Sequence, residues 1–145
     1  MKNFILLGLL ALLPIGSCSD NDNTNYVPND TIINEWTVLK SSGTIAGITH
    51  EFPNGTILWK FQENNTVTIV NNNTNNNLQS AFPSGTYFYS VSINPATANC
   101  DKKIIIDGNN EFQCLVINDM QLDIEQGVAD GINYHFERLL PFTSN

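Results

Sequence analysis

Thr56-Ile57-Leu58-Trp59-Lys60-Phe61-Gln62-Glu63-Asn64-Asn65-Thr66-Val67-Thr68-Ile69-Val70 repeats with a period of two on either side of an Asn-Asn step. Ile57, Trp59 and Phe61 share one face, and Val67 and Ile69 continue it beyond the turn. That period belongs to a strand, whose successive side chains point to opposite sides. Asn tolerates the left-handed backbone that a tight turn needs. The stretch therefore predicts a β-hairpin with one buried face.

The same pattern runs outward in both directions. Glu35–Lys40 reads as a strand upstream, and Gly85–Ile93 downstream sets Tyr87, Tyr89, Val91 and Ile93 on one face. Lys103–Asp107 and Phe112–Asn118 flank Gly108-Asn109-Asn110, a second hairpin turn. Met120–Glu125 turns Met120, Leu122 and Ile124 inward. After Asp130-Gly131, Ile132, Tyr134 and Phe136 point in, while Asn133, His135 and Glu137 point out. With eight short strands and no amphipathic helix, the chain is expected to be all-β. Consecutive hairpins suit a small eight-stranded antiparallel up-and-down barrel, because closure removes exposed edges. A sandwich is the alternative.

Two connections stand out. Residues 71–77 are almost all Asn and read as an exposed loop. Ser41–Gly55 is longer than a hairpin turn requires and carries Ile45, Ile48, Phe52 and Pro53. A long apolar connection at this point is expected to act as a lid over one barrel mouth, or as a plug within it.

The first residues have another purpose. Lys2 precedes an apolar run, Phe4–Leu13, which is too short to cross a bilayer as a helix and matches the core of a signal peptide. Pro14 ends the run, and Ile15-Gly16-Ser17-Cys18 resembles a bacterial lipobox. The resemblance implies cleavage after residue 17 and acylation of Cys18, whose several acyl chains would anchor the chain stably. Ser19-Asp20-Asn21-Asp22 resembles outer-membrane sorting signals, with the periplasmic and surface faces both open. The expected organisation is a signal peptide (1–17), a lipidated cysteine and flexible tether (18–31), the barrel (32–140) and a C-terminal tail (141–145). Asp30-Thr31-Ile32 resembles a short O-glycosylation motif of Bacteroidetes periplasmic proteins.

Composition narrows the partners. The formal charge is -8, and loss of Lys2 would make it more negative. Such a surface repels phosphate backbones, and no Lys/Arg cluster counters it, so nucleic acid is excluded as a partner. Cys100 and Cys114 remain in a compartment that permits disulfides. Free thiols and metal ligands are the alternatives, but a lone pair without an adjacent His makes a poor zinc site.

Several short motifs, in order, resemble the lipocalin-like lipoproteins of Bacteroidetes. Ile32-x-Asn34-x-Trp36-x-Val38 resembles the family's opening, with Asn34 where the family has Gly. Phe61-x-x-Asn64-Asn65-Thr66-Val67 is similar to its second hairpin. Gly85-Thr86-Tyr87, Met120-x-Leu122-x-Ile124 and Phe136-Glu137-Arg138-Leu139 are similar to its later strands. The resemblance implies a lipocalin-like barrel in which Trp36 closes the bottom and Arg138 lies across it as a structural pair.

A search for chemistry yields no catalytic constellation. His50 and His135 read as solvated, and neither is paired in sequence with a nucleophile. Asp107-Gly108-Asn109-Asn110-Glu111 has oxygen ligands at short spacing but lacks the length of a calcium loop. No enzyme activity, metal or cofactor is expected. The expected function is binding of a small apolar ligand, with Trp59, Phe61, Tyr87, Tyr89, Tyr134 and Phe136 lining a cup. The alternative is a filled barrel that docks an envelope protein, or inhibits one, through loops such as 71–82 and 94–101.

Overall fold

The computed structural model describes residues 32–43, 47–80, 82–95 and 100–140. The expected signal peptide, Cys18, tether and tail lie outside those residues, as do Asp30 and Thr31. The described chain is all-β and antiparallel: β1 (Glu35–Gly43), β2 (Ile48–Glu51), β3 (Ile57–Phe61), β4 (Thr66–Asn71), β5 (Gly85–Ile93), β6 (Lys102–Ile106), β7 (Asn110–Phe112), β8 (Cys114–Ile117), β9 (Gln121–Glu125) and β10 (Ile132–Arg138). They form one sheet in the order β7-β6-β5-β4-β3-β1-β10-β9-β8, with β2 paired to β1. The two strands at the ends of this order are separated in the chain by Gln113 alone, so the sheet nearly closes into a barrel.

The expected count of eight strands is corrected to ten, for two physical reasons. Ile48–Glu51, in the connection expected to be a lid or plug, instead pairs with Lys40–Gly43 as β2. Its side chains are largely exposed, and so it leaves no alternating apolar signature. The predicted strand over residues 112–118 is divided at Gln113, where the chain changes partners from β6 to β9. The buried Asn94 side chain donates to the Gln113 carbonyl, satisfying an acceptor that the ladder leaves open. A disulfide joins Cys100 to Cys114 beside this seam.

β1 bends where the wall needs it to. Val38 pairs with Phe136 and Lys40 with His135, so Leu39 is an extra residue, a β-bulge. Trp36 and Val38 face inward before the bulge, and Ser41 faces inward after it. The Leu39 carbonyl accepts the Phe52 N–H at 2.8 Å, and Thr37 Oγ1 accepts the Gly55 N–H at 2.9 Å. The β2–β3 link thus docks on the bulge and sends Phe52 into the core. At the far end of β1, Gly43 has φ +128°, and a Cβ there would lie 1.9 Å from the Gly131 carbonyl oxygen. Only glycine fits this close approach.

The hairpin expected at Asn64-Asn65 forms, with Asn65 at φ 58°; at the β6–β7 turn Asp107 has φ 53°. The inward rows of β3, β4 and β9 are buried as their period requires, and so are Tyr134 and Phe136 of β10, with Ile132 half-buried at its start. Two residues depart from it. Met120, expected inward, precedes β9 and is 40 % exposed, and Ile93, the last residue of β5, is exposed as well. At the lower end Trp36 stands directly opposite Arg138 in the β1–β10 register. Trp36 Nε1 donates to the Ile32 carbonyl, and Arg138 Nη1 reaches the Asp119 carbonyl at 3.4 Å.

Candidate functional site

The upper end of the barrel is where β1, β4, β6 and β9 finish and β5, β7 and β10 begin. The connection from β4 to β5 crosses it. Asn71 Nδ2 donates to Ser80 Oγ and to the Phe82 carbonyl, and Ser41 Oγ donates to the Gln79 carbonyl at 2.8 Å. Phe82 is thereby driven into the core, edge-on to Trp59 at 5.2 Å and to Tyr87 at 5.6 Å. Gln79 and Phe82 thus lie over the mouth. Of the Ser41–Gly55 connection expected as a lid or plug, Ile48–Glu51 forms wall and Phe52 packs into the core, while Ile45 lies outside the described residues.

Beside this cover lies a cup of about 370 Å³, lined by Gln79, Phe82, Asn110, Phe112, Gln126, Ile132 and Tyr134. None of these side chains carries a formal charge. Asn110, Phe112, Gln126 and Ile132 lie at a strand end or next to one, where the pleat still fixes their direction; Tyr134 lies within β10, and Gln79 and Phe82 come from the β4–β5 connection. Asn110 opens β7, and its Nδ2 donates to the Ile106 carbonyl at 3.2 Å. Gln126 follows β9, and its Oε1 accepts the Ile132 N–H at 2.8 Å.

Tyr134 is the distinctive residue of the cup. It is 2 % exposed, and its hydroxyl has no hydrogen-bond partner among the described residues. Burial pushes the phenol above its ordinary value, so the hydroxyl stays neutral. An unpaired hydroxyl in a dry core costs about 1–3 kcal/mol.

The six aromatics proposed from sequence meet in one ring-contact network. Trp59 touches Phe61, Tyr134 and Phe136 at 6.1, 6.0 and 5.1 Å. Phe61 packs edge-on against Tyr89 at 5.0 Å, and Tyr87 joins through Phe82. Of the six, Tyr134 lines the cup, Trp59, Phe61, Tyr89 and Phe136 fill the barrel, and Tyr87 is half-buried against that core. Tyr89 and Tyr87 donate to the Gln62 and Pro83 carbonyls. Sequence reasoning did not single out Phe82, Phe112 or the three carboxamides as site residues.

No protein-family model, curated protein or solved structure matches the chain.

A second concavity, about 340 Å³, lies on the outer face of β2, β1, β10 and β9. Register sets Asp123, His135, Lys40 and Glu51 in one row across those four strands. His135 Nδ1 lies 2.6 Å from Asp123 Oδ1, and Lys40 Nζ lies 3.5 Å from Glu51 Oε1. His135, expected to be solvated, is thus half-buried and paired. Among the described residues, no group of three His, Cys, Asp or Glu side chains could hold a metal ion.

Proposed function

We propose that this chain is an envelope lipoprotein, anchored through Cys18 to the outer membrane, whose lipocalin-like barrel is a non-catalytic binding module. The cup at the upper mouth takes the apolar face of a small ligand. One observation carries this reading. A cavity of about 370 Å³, within the usual size of ligand sites, lies at the mouth and is lined by Phe82, Phe112, Ile132, Tyr134 and three carboxamides, with no formally charged side chain. The anchor rests on the Phe4–Leu13 run and the lipobox-like Ile15-Gly16-Ser17-Cys18.

Titration of a naphthalene-type fluorescent probe into the folded, oxidised protein tests the cup. Saturable binding at one site per chain supports it, and no binding by a cooperatively folding protein overturns it. Metabolic labelling with a palmitate analogue tests the anchor. Label should enter the wild type and be lost in Cys18→Ser, and label that persists in the variant would contradict acylation at Cys18.

A docking module acting on another envelope protein is the second reading. Phe88 favours it, because this aromatic side chain stands 73 % exposed on β5 above a core that is otherwise well filled. Phe88→Ser would abolish capture of such a partner and leave probe binding in the cup unchanged.

A further inference from the structure

We propose that the outer wall formed by β3, β4, β5 and β6 is the face this protein lays on the lipid surface that anchors it. The inference rests on the anchor at Cys18, and it makes Phe88 a lipid contact in place of the protein contact of the second reading. Charge is spread unevenly around the barrel. β1, β2, β7, β9 and β10 carry Glu35, Glu51, Glu111, Asp123, Glu125 and Glu137. β3, β4, β5 and β6, neighbours in the sheet, carry no carboxylate at all. Glu63, Asp101 and Asp107 lie in the connections at the ends of this wall. The wall itself holds Lys60, Lys102 and Lys103. Lys103 is paired with Glu111, while Lys60 and Lys102 have no ion-pair partner among the described residues.

What the wall exposes fits the boundary between water and lipid. Phe88 is 73 % exposed and Val70 41 %. Around them stand the outward hydroxyls of Thr66, Thr68, Thr86 and Ser90. A membrane surface attracts lysine and takes up exposed apolar side chains, and its anionic headgroups repel carboxylates. Hydroxyls donate to the same headgroups. The chain also enters the barrel on this side. Glu35, Lys60, Thr68 and Thr86 stand in one row across β1, β3, β4 and β5, and Phe88 is the next outward residue after Thr86. The entry at Glu35 is thus three strand spacings, about 15 Å, from Thr86. The stretch from Cys18 to Ile32 reaches at most about 50 Å when extended, enough to let the wall lie flat. A second copy docked wall to wall would instead bring like-charged lysines together.

The test uses the acylated protein reconstituted in vesicles of phosphatidylethanolamine and phosphatidylglycerol with brominated acyl chains, which quench a tryptophan in contact with them. Phe88→Trp places a reporter on the wall, and Val116→Trp places one beside Asp123, on the side that bears carboxylates. Trp36 and Trp59 are buried and set the baseline in the wild type. The emission added by Phe88→Trp should be quenched, and that added by Val116→Trp should not. Lys60→Gln in the Phe88→Trp chain should lower the ratio of quenched to unquenched emission about fivefold, the worth of one lysine near an anionic surface. Equal quenching of the two reporters would show a barrel with no preferred face and overturn the inference. So would an absence of quenching in a Phe88→Trp protein that floats with the vesicles; the anchor then stands, and Phe88 passes to the protein partner of the second reading. A chain that carries no acyl group and does not float overturns the anchor, and this inference with it.

Discussion

Tyr134 and Trp59 lie with ring centroids 6.0 Å apart in the barrel core, and each holds a buried polar atom, Oη and Nε1, that no described residue satisfies. Cores rarely leave such groups unpaired. Two in contact, one of them lining a cup, mark the place where packing for stability has been given up. Similar unpaired groups would be a defect in a barrel that only had to fold.

Removing the hydroxyl should therefore not harm the free protein. Tyr134→Phe keeps the ring contacts with Trp59, Phe112 and Phe136 and deletes only the unsatisfied oxygen. Its unfolding free energy in urea should equal that of the wild type or exceed it by up to about 2 kcal/mol. A loss of more than about 1 kcal/mol would show that the hydroxyl is satisfied in solution.

Reduction of Cys100–Cys114 should act at the seam. The bond spans 14 positions in sequence and ties the start of β8 to the chain entering β6, beside the gap between β7 and β8. Closing a loop of this size stabilises by about 3 kcal/mol in the chain-entropy model. Cys114→Ser should lower stability by about that amount. It should also weaken probe binding, because Asn110 and Phe112 of the cup sit on β7. Unchanged urea midpoints with and without reductant would refute this.

Gly43 and Gly47 offer a contrast. Both have positive φ, but a Cβ on Gly43 would strike the Gly131 backbone, whereas one on Gly47 meets nothing within 4 Å. Gly47→Ala should cost about 1 kcal/mol, the conformational penalty alone. Gly43→Ala should cost about 3 kcal/mol or more, because the β1–β10 ladder must part to admit it. Thermal melts of the two variants decide the matter, and equal losses would contradict the close approach.

Glu111 gives a pH signature. Lys103 Nζ lies 2.6 Å from its carboxylate and holds the Glu111 carboxyl below its ordinary value. A folded-state pKa below the unfolded one gives stability that is full above the unfolded pKa and lost as pH falls through the folded one. The wild type should therefore exceed Glu111→Gln in stability near neutrality, and the gap should shrink below about pH 4. A gap that is constant from neutral to acid pH would rule out the ion pair as its source.

Sequence made the fold legible where burial was one-sided. Trp59, Phe61, Val67 and Ile69 alternate because one face of β3 and β4 is dry, and the Asn64-Asn65 turn marks its own place. β2 was hidden because Ile48-Thr49-His50-Glu51 has no dry face. The bulge at Leu39 and the break at Gln113 were hidden because both are settled by partners far along the chain, Phe52 and Asn94. The disulfide could be inferred because two cysteines are easily paired. The cup could not. Phe82 stands alone among polar loop residues, and Gln79, Asn110 and Gln126 resemble any surface amide until register brings them to one mouth. The His135–Asp123 pair likewise needs the β9–β10 register.

The most direct test of the cup is a ¹H–¹⁵N correlation spectrum of the oxidised protein during titration with the naphthalene-type probe. Binding in the cup predicts saturable shifts of the Gln79, Asn110 and Gln126 side-chain amides and of the Trp59 indole N–H, all with one midpoint. Shifts confined to the outer groove near Lys40, Asn133 and His135, or no shifts at all in a folded protein, would contradict it.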